Sequence, residues 1–185
     1  MRWLLEELSL PYELIYIDLF NGGGETSAYK LKHPLGCVPV LDVNGKYMFE
    51  SGAICDWLVD CYPDKQLAPH VDSIERIEYK QWMYFIIATM EPHAWNIILH
   101  TKILPVNKRI PHSVVFEQQK YIDCLHIIDK KLMGKKFLIG DKFTVVDILL
   151  TTLINWLPKQ LQAFKNIQSY CNKIKSRECY QLILK

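Results

Sequence analysis

The sequence predicts an α/β unit followed by an all-helical unit. Between residue 1 and about residue 61, short helical and strand-like patterns alternate, which is typical of an α/β unit. After a proline-containing stretch, the periodic segments all have the 3.6-residue spacing of helices. We therefore predict an α/β domain at 1–62, a linker at 63–72 and an all-α domain at 73–185.

Composition limits the class of protein. Half of the 185 residues are hydrophobic, which is enough to form a full core. The net charge of +2 comes from 22 basic and 20 acidic residues spread along the chain, which predicts no nucleic-acid partner. No apolar run reaches the roughly 18 to 20 residues that a membrane span needs, so we expect a soluble protein with no membrane partner.

The six cysteines indicate the compartment. They include no C-x-x-C pair and lie mostly within apolar periodic stretches, at positions 37, 55, 61, 124, 171 and 179. Reduced thiols in a core fit this pattern better than disulfides or metal ligands. The pattern favours the cytoplasm and predicts no metal site.

The α/β unit has three predicted helices and three predicted strands, with a glycine-rich loop between the first strand and the second helix. The segment "MRWLLEEL" predicts a short helix, and "YELIYIDL" at 12–19 predicts a strand. The loop "NGGGE" leads to a second short helix. A β-hairpin follows, with strands at 38–43 and 47–49 joined by Asn44-Gly45, which is a strong hairpin signal.

A third helix follows the hairpin. Ser51 is predicted to be its N-cap residue. Its apolar residues occur at i, i+3, i+4 and i+7, which predicts one buried face made of Ile54, Trp57, Leu58 and Cys61. The helix is expected to end before Pro63.

Pro39 is an unusual residue for the first strand of this hairpin. Proline cannot donate a hydrogen bond to a neighbouring strand. The backbone beside Pro39 is therefore either the end of an edge strand or bonded to something outside the sheet.

The all-α unit contains two well-marked helices. The first has an apolar stripe with steps of seven, four, three and four residues, made of Val114, Tyr121, Leu125, Ile128 and Leu132. The second begins with a capping-box spacing, Thr144 to Asp147, and with Phe143 and Ile148 at the positions of a hydrophobic staple. The apolar run "ILLTTLINWL" follows and predicts a helix through the centre of the domain.

These segments together resemble a cytosolic glutathione transferase of the bacterial type. The resemblance covers nearly the whole chain, through "RWLLEELSLPYEL", "HPLGCVPVLDVNG", "FESGAICDWL", "GDKFTVVDILL" and "SYCNKIKSRECYQ". It implies a thioredoxin-like first domain, an all-helical second domain and a homodimer. It also implies glutathione as co-substrate, a small hydrophobic electrophile as second substrate, and a role in detoxification.

The resemblance implies a glutathione-binding site made of Cys37, Val38, Pro39, Glu50 and Ser51. A cis bond before Pro39 would direct the backbone of Val38 to pair with glutathione. Ser51 would bind the γ-glutamyl carboxylate at a helix start, and Glu50 would bind the adjacent amino group. Cys37 stands where many relatives carry Lys or Gln. The alternative is a purely structural role, in which Ser51 is an ordinary N-cap residue and Glu50 is a solvated charged side chain.

The resemblance also implies a strand and a loop before the first helix, with a Tyr, Ser or Cys that activates the glutathione thiol. The sequence therefore leads us to expect a truncated chain that lacks the first strand, with its catalytic residue upstream of Met1. The nearest hydroxyl groups, on Ser9, Tyr12 and Tyr16, lie beyond the first helix, on the wrong end of it for this role. As a family member the protein is expected to be an enzyme.

Three functions are compatible with these residues. The first is glutathione conjugation, with the electrophile bound by the helical segment at 81–95. The second is non-catalytic binding or scaffolding, and the third is glutathione-dependent isomerisation or disulfide reduction. Within 81–95, Trp82, Phe85 and Met90 are equally compatible with core packing. His93 has two possible roles: its side chain lines the substrate-binding cleft, or it makes a structural hydrogen bond.

Overall fold

A computed structural model describes residues 1–184 and divides the chain into two compact units. The first unit is Met1–Lys65, and the second begins at Gln66. Among the described residues, no helix combines the length and the apolar character that crossing a membrane requires.

The first unit contains helices and strands, which confirms the predicted α/β class. Its elements are α1 (Arg2–Leu8), α2 (Ser27–Lys30), β1 (Val40–Val43), β2 (Lys46–Phe49) and α3 (Ser51–Cys61). Short 3₁₀ turns occur at Gly23–Glu25 and Pro63–Lys65.

The predicted hairpin is confirmed. Strands β1 and β2 are antiparallel, with Val40 opposite Phe49. Both turn residues have positive φ angles, 53° at Asn44 and 84° at Gly45, as a type I′ turn requires. The first strand begins at Val40 rather than at residue 38, because the proline at 39 has no N–H group for the ladder.

The strand predicted at 12–19 is wrong. This segment has no regular secondary structure, and within the described chain no backbone hydrogen bond joins residues 11–17 to another backbone group. Leu14, Ile15 and Tyr16 are 65–83% exposed. The residue types favour a strand, but a strand exists only when another backbone segment pairs with it.

The buried face of α3 differs from the predicted one. Ile54 and Leu58 are buried as expected, but Trp57 is 39% exposed. Cys61 is exposed as well. The core instead receives the adjacent pairs 54–55 and 58–59, because a helix turns by 3.6 residues and the centre of its buried face lies between these positions.

All regular secondary structure in the described part of the second unit is helical, as predicted. Its helices are α4 (Glu75–Tyr84), α5 (Glu91–Ile98), α6 (Pro111–Lys131), α7 (Val145–Ile154), α8 (Lys165–Lys175) and α9 (Glu178–Ile183). Turns of π-helix at Phe85–Met90 and Leu99–Ile103 flank α5, and 3₁₀ turns occur at Val106–Lys108 and Pro158–Leu161.

The apolar stripe predicted for α6 is largely confirmed. Tyr121, Leu125 and Ile128 are fully buried, and Leu132 is 3% exposed. Val114, in the first turn of the helix, is only half-buried.

The start of α7 is the most completely bonded helix start of this unit. The predicted capping box between Thr144 and Asp147 is confirmed. The carboxylate of Asp147 accepts hydrogen bonds from the N–H and hydroxyl of Thr144, at 2.8 and 3.1 Å. It also accepts from the N–H of Leu138 at 2.9 Å and from the hydroxyl of Tyr170 at 2.7 Å. Burial raises the pKa of Asp147, and these four bonds oppose the rise.

The six cysteines differ in burial, and Cys179 is half-buried. Cys55, Cys124 and Cys171 are buried core thiols, as predicted, and burial raises the pKa of Cys55 to about 12 and that of Cys171 to about 11. Cys37 and Cys61 are exposed, so the prediction of core thiols is wrong for these two. Within residues 1–184, no group of three His, Cys, Asp or Glu side chains is arranged to hold a metal ion.

Candidate functional site

The register of the hairpin brings the two halves of the predicted site to the same end of the sheet. Val40 and Phe49 form the terminal pair. Pro39 immediately precedes this pair on one strand, and Glu50 immediately follows it on the other. Since paired strands lie about 5 Å apart, the segments 37–39 and 50–51 are neighbours. Three of the five predicted residues are exposed and the other two are half-buried.

The first half of the site presents an unpaired backbone. The peptide bond between Val38 and Pro39 is cis. Val38 is 49% exposed, and its N–H and C=O groups make no hydrogen bond to another described residue. The preceding carbonyl, of Cys37, is occupied, because it accepts a hydrogen bond from the hydroxyl of Tyr29 at 2.8 Å. Val38 is therefore the residue of this segment whose N–H and C=O groups are both available to a ligand.

The second half of the site is the start of α3. The N-cap residue is Glu50, and Ser51 is the first helical residue, so the prediction of Ser51 as N-cap is wrong. The reason is the backbone of Glu50, whose φ of 71° and ψ of 109° turn the chain from β2 into the helix. The carbonyl of Glu50 accepts the first helical bond, from the N–H of Ile54 at 3.0 Å.

Three backbone N–H groups at this helix start have no acceptor within the described chain. They belong to Ser51, Gly52 and Ala53, which precede the first hydrogen-bonded turn. The positive end of a helix dipole lies at its N-terminus, so these three N–H groups lie at the positive end of the 11-residue helix α3. The Glu50 side chain caps none of these groups. The arrangement suits an anion at the N–H groups, with a cation beside the exposed Glu50 carboxylate.

Several residues that support the site could not be chosen from the sequence. Tyr29 fixes the carbonyl before Val38 through the hydrogen bond described above. The ring of His33 packs against that of Phe49, with centroids 4.9 Å apart. Gly24 and Gly36 approach so closely that a Cβ on Gly24 would lie 2.1 Å from the Gly36 carbonyl oxygen. The run "NGGGE" signals a loop but does not identify its contact with the segment before Cys37.

The hydroxyl groups near the chain start are not arranged to activate a thiol. Tyr12 donates to the Glu6 carboxylate at 2.5 Å and accepts from Arg2 at 3.0 Å. The hydrogen bond to Glu6 raises the pKa of Tyr12, because it favours the neutral phenol. Tyr16 is 83% exposed. Ser9 has a φ of 58° as the C-cap of α1.

The predicted electrophile-binding segment is divided between the core and the surface. Trp82 and Met90 are buried, and Phe85 is half-buried. His93 lies 2.5 Å from a carboxylate oxygen of Glu117, measured from its Nδ1 atom. Asn96 donates to the other oxygen of the same carboxylate at 3.1 Å. His93 therefore has a structural hydrogen-bond partner that joins α5 to α6.

Comparison with known proteins gives matches over both units. The family model for the glutathione S-transferase N-terminal domain matches residues 1–66, and that for the C-terminal domain matches residues 95–178. Glutathione S-transferase hmp2 of Hypomyces subiculosus is 33% identical over 153 residues, which cover 78% of this chain and 70% of that protein. Glutathione S-transferase 3 of Schizosaccharomyces pombe is 30% identical over 78% of this chain and 64% of its own length.

A solved structure agrees with these matches. The ternary complex of BphK, a bacterial GST, superposes with a TM-score of 0.88 at 26% identity. The superposition covers 99% of this chain and 90% of that one. It bears out the predicted fold, a thioredoxin-like N-terminal domain with an all-helical C-terminal domain. The chain belongs to the glutathione S-transferase family.

Proposed function

We propose that this protein binds glutathione at the open end of the hairpin and joins its thiol sulfur to a small hydrophobic electrophile. The observation that carries the proposal is the combination of a free Val38 backbone with three unpaired N–H groups at the start of α3. Family membership supports glutathione as the molecule that fills this place.

Val38 would bind the peptide backbone of glutathione. An extended peptide pairs with an exposed strand-like segment through N–H and C=O groups on both sides. Val38 offers one of each, and neither has a partner in the described chain. The neighbouring Cys37 side chain is exposed, so a ligand here would also lie near a thiol.

The start of α3 would bind the γ-glutamyl end. Its carboxylate would accept hydrogen bonds from the N–H groups of Ser51 and Gly52, and from the Ser51 hydroxyl. The adjacent ammonium group would lie beside the exposed carboxylate of Glu50. The γ-glutamyl zwitterion would thus place its carboxylate against hydrogen-bond donors and its ammonium group against an acceptor.

The backbone of Glu50 supports a functional role for this position. A φ of 71° in a residue other than glycine is unfavourable by about 1 to 3 kcal/mol, and such conformations cluster at ligand sites. Glycine would adopt this φ without that cost. Binding of the ligand ammonium group by the Glu50 carboxylate would explain why this position carries Glu rather than glycine.

Further features of the proposal come from the family resemblance. We propose a homodimer in the cytoplasm, with detoxification as its role. In the conjugation step, the glutathione thiol releases its proton to solvent, the sulfur forms a bond to an electrophilic carbon, and the leaving group departs with the electron pair of the bond that breaks. The proposal assigns binding groups for glutathione and no catalytic residue.

Non-catalytic glutathione binding is the second candidate. The observation that favours it is the environment of Tyr12, the phenol nearest the first helix, because its hydrogen bond to Glu6 disfavours the phenolate. Binding would then be retained while conjugation would be absent. The exposed Cys37 makes glutathione-dependent disulfide exchange the third reaction to be measured.

Isothermal titration calorimetry with glutathione tests the binding site. Glu50→Gln and Ser51→Ala should each weaken binding by about 1 to 3 kcal/mol, because each removes one partner of a charged hydrogen bond. Glu13→Gln and Ser27→Ala are matched controls, since both residues are exposed in the same unit and Ser27 is also the first residue of a helix. Unchanged affinity in both site variants would contradict the site.

Turnover is measured separately on the same proteins. Glutathione and an aromatic chloronitrobenzene would give a thioether and chloride if the protein is a transferase. Binding without thioether formation would identify the non-catalytic function. Glutathione-dependent reduction of a small disulfide, lost in Cys37→Ser, would identify disulfide exchange instead.

A further inference from the structure

The charge of the second unit is concentrated in one part of the chain. Residues 130–177 contain ten basic and two acidic residues, a net charge of +8, whereas the whole chain has +2. Along the sequence these basic residues lie on both sides of the apolar helix α7. The fold brings some of them together.

Two aromatic rings form the centre of this arrangement. The rings of Phe137 and Phe143 are 6.0 Å apart and meet edge to face. The ammonium group of Lys173 lies 5.1 Å from the centre of the Phe137 ring. The guanidinium group of Arg177 lies 3.8 Å from the centre of the Phe143 ring. Cation–π contacts thus hold Lys173, in the last turn of α8, and Arg177, two residues beyond the end of this helix.

Lysines on the neighbouring loop add to these two cations. Lys136 and Lys142 immediately precede the two phenylalanines and are exposed. We call Lys136, Lys142, Lys173 and Arg177 the basic patch. The patch belongs entirely to the second unit.

The lysines of the basic patch have no acidic partner in the described chain. Lys136 and Lys173 form no ion pair with a described residue, and Lys142 donates to the neutral amide oxygen of Gln66 at 2.6 Å. Asp141 and Glu178 are close in sequence, but neither forms an ion pair with these lysines. Three exposed positive charges therefore remain without a neutralising partner.

Two lysines that precede the basic patch in sequence, Lys131 and Lys135, add to the local positive charge. Lys131 pairs with Glu78, so its charge is compensated. Lys131 nevertheless lies close enough to Lys135 to lower the pKa of Lys135. Like charges are therefore crowded along the loop that leads to the basic patch.

We propose that the basic patch is a docking surface for a short acidic segment of a partner protein. Lys and Arg groups held in place are complementary to a row of carboxylates. Alternate side chains of an extended peptide point to the same side, so they present a row of charges to one surface. A segment with Asp or Glu at every second position would fit the patch.

Other polyanions fit the patch less well. Single-stranded nucleic acid requires aromatic faces for its bases, but Phe143 is buried and cations lie over both rings. The overall isoelectric point of about 8.1 is below that of typical nucleic-acid-binding domains. The patch itself has no protruding apolar side chain that could enter a bilayer.

Fluorescence anisotropy with a labelled peptide tests this proposal. The probe is a peptide of about twelve residues in which Glu alternates with Ser, measured at low ionic strength. We expect binding that weakens as salt is added, and no binding of the peptide with Gln in place of Glu. The double variant Lys136→Gln/Lys173→Gln should weaken binding about three- to tenfold, because each exposed ion pair contributes little alone.

The control removes the same charge from another part of the unit. Lys159→Gln/Lys165→Gln changes two exposed lysines, one of them at the opposite end of α8. It should change the affinity less than about twofold. Absence of peptide binding, or an equal loss in both double variants, would overturn the proposal. Tighter binding of duplex DNA or of phosphatidylserine vesicles through Lys136 and Lys173 would also overturn it, by assigning the patch to another partner.

Discussion

Two helix starts in this chain show opposite arrangements. At the start of α7, the Asp147 carboxylate accepts four hydrogen bonds and is fully buried. At the start of α3, three N–H groups have no acceptor in the described chain, and the Glu50 carboxylate next to them is exposed. The α7 start is closed by the protein's own groups, whereas the α3 start is open.

The difference indicates what each start contributes. A helix start with a buried carboxylate that accepts four hydrogen bonds stabilises the fold, because loss of this carboxylate leaves buried donors without an acceptor. An open start with an unfavourable backbone conformation does not increase stability, and it is suited to a ligand. We therefore expect variants at α7 to change stability, and variants at α3 to change glutathione binding.

The largest effect is expected for Asp147→Ala. This change leaves the Leu138 N–H and the Tyr170 hydroxyl without their acceptor, in addition to the groups of Thr144. The free energy of unfolding should fall by about 3 to 5 kcal/mol, since each buried unpaired donor costs about 1 to 3 kcal/mol. Chemical denaturation monitored by circular dichroism measures this free energy of unfolding. Asp141→Ala, at an exposed position nearby, is the control and should change stability little. A loss no larger than that of the control would show that packing alone determines where α7 begins.

A smaller effect is expected for Tyr170→Phe. The phenol of Tyr170 is one of the four donors to Asp147, and three remain after the change. We expect a loss of about 1 to 2 kcal/mol in the same denaturation experiment. Combined with Asp147→Ala, the phenylalanine variant should cost almost nothing further, because the acceptor is already absent. Full additivity of the two changes would contradict a shared hydrogen-bond network.

Glu50→Gly, at the open start of α3, should change the stability of the protein and its affinity for glutathione in opposite directions. Glycine adopts a φ of 71° freely, so relief of the unfavourable backbone should exceed the entropy cost of glycine. We expect the free energy of unfolding to rise by about 0.5 to 1 kcal/mol while glutathione affinity falls. Glu13→Gly is the control, because Glu13 has no positive φ, and it should not be stabilised. A destabilised Glu50→Gly variant would mean that the Glu50 side chain supports the fold.

The last prediction concerns pH. Burial raises the folded-state pKa of Asp147 above its ordinary value of 3.8. Between that value and the raised one, the folded protein holds a proton that the unfolded chain releases, so stability falls as pH rises through this range. Unfolding of the wild-type protein and of Asp147→Asn, followed at several pH values, should show this decline only in the wild type. The same decline in both proteins would assign it to another group.

The sequence predicts the closed helix start better than the open one. The spacing of Thr144 and Asp147 is a local signal contained in four consecutive positions. The hairpin is equally local, because Asn44 and Gly45 define the turn. The contact of Tyr170 with Asp147 spans 23 residues of chain and has no local signal.

The other differences also arise from distant contacts. Residues 12–19 have strand propensity, but pairing decides whether a strand forms, and a pattern cannot show its partner. The five site residues follow from the family resemblance, and the structure gives their geometry. It moves the N-cap from Ser51 to Glu50, since the backbone angles of a single residue are not encoded in a hydrophobic pattern. The basic patch joins residues about 40 positions apart across a buried helix.

The most direct test of the open helix start is a titration of ¹⁵N-labelled protein with glutathione, followed by the amide signals in NMR spectra. We predict the largest shifts at Val38, Ser51 and Gly52, and no shift at Val145 or Val146 in the closed start of α7. Saturable binding that leaves the signals of Val38 and Ser51 unchanged would contradict the assignment of this site.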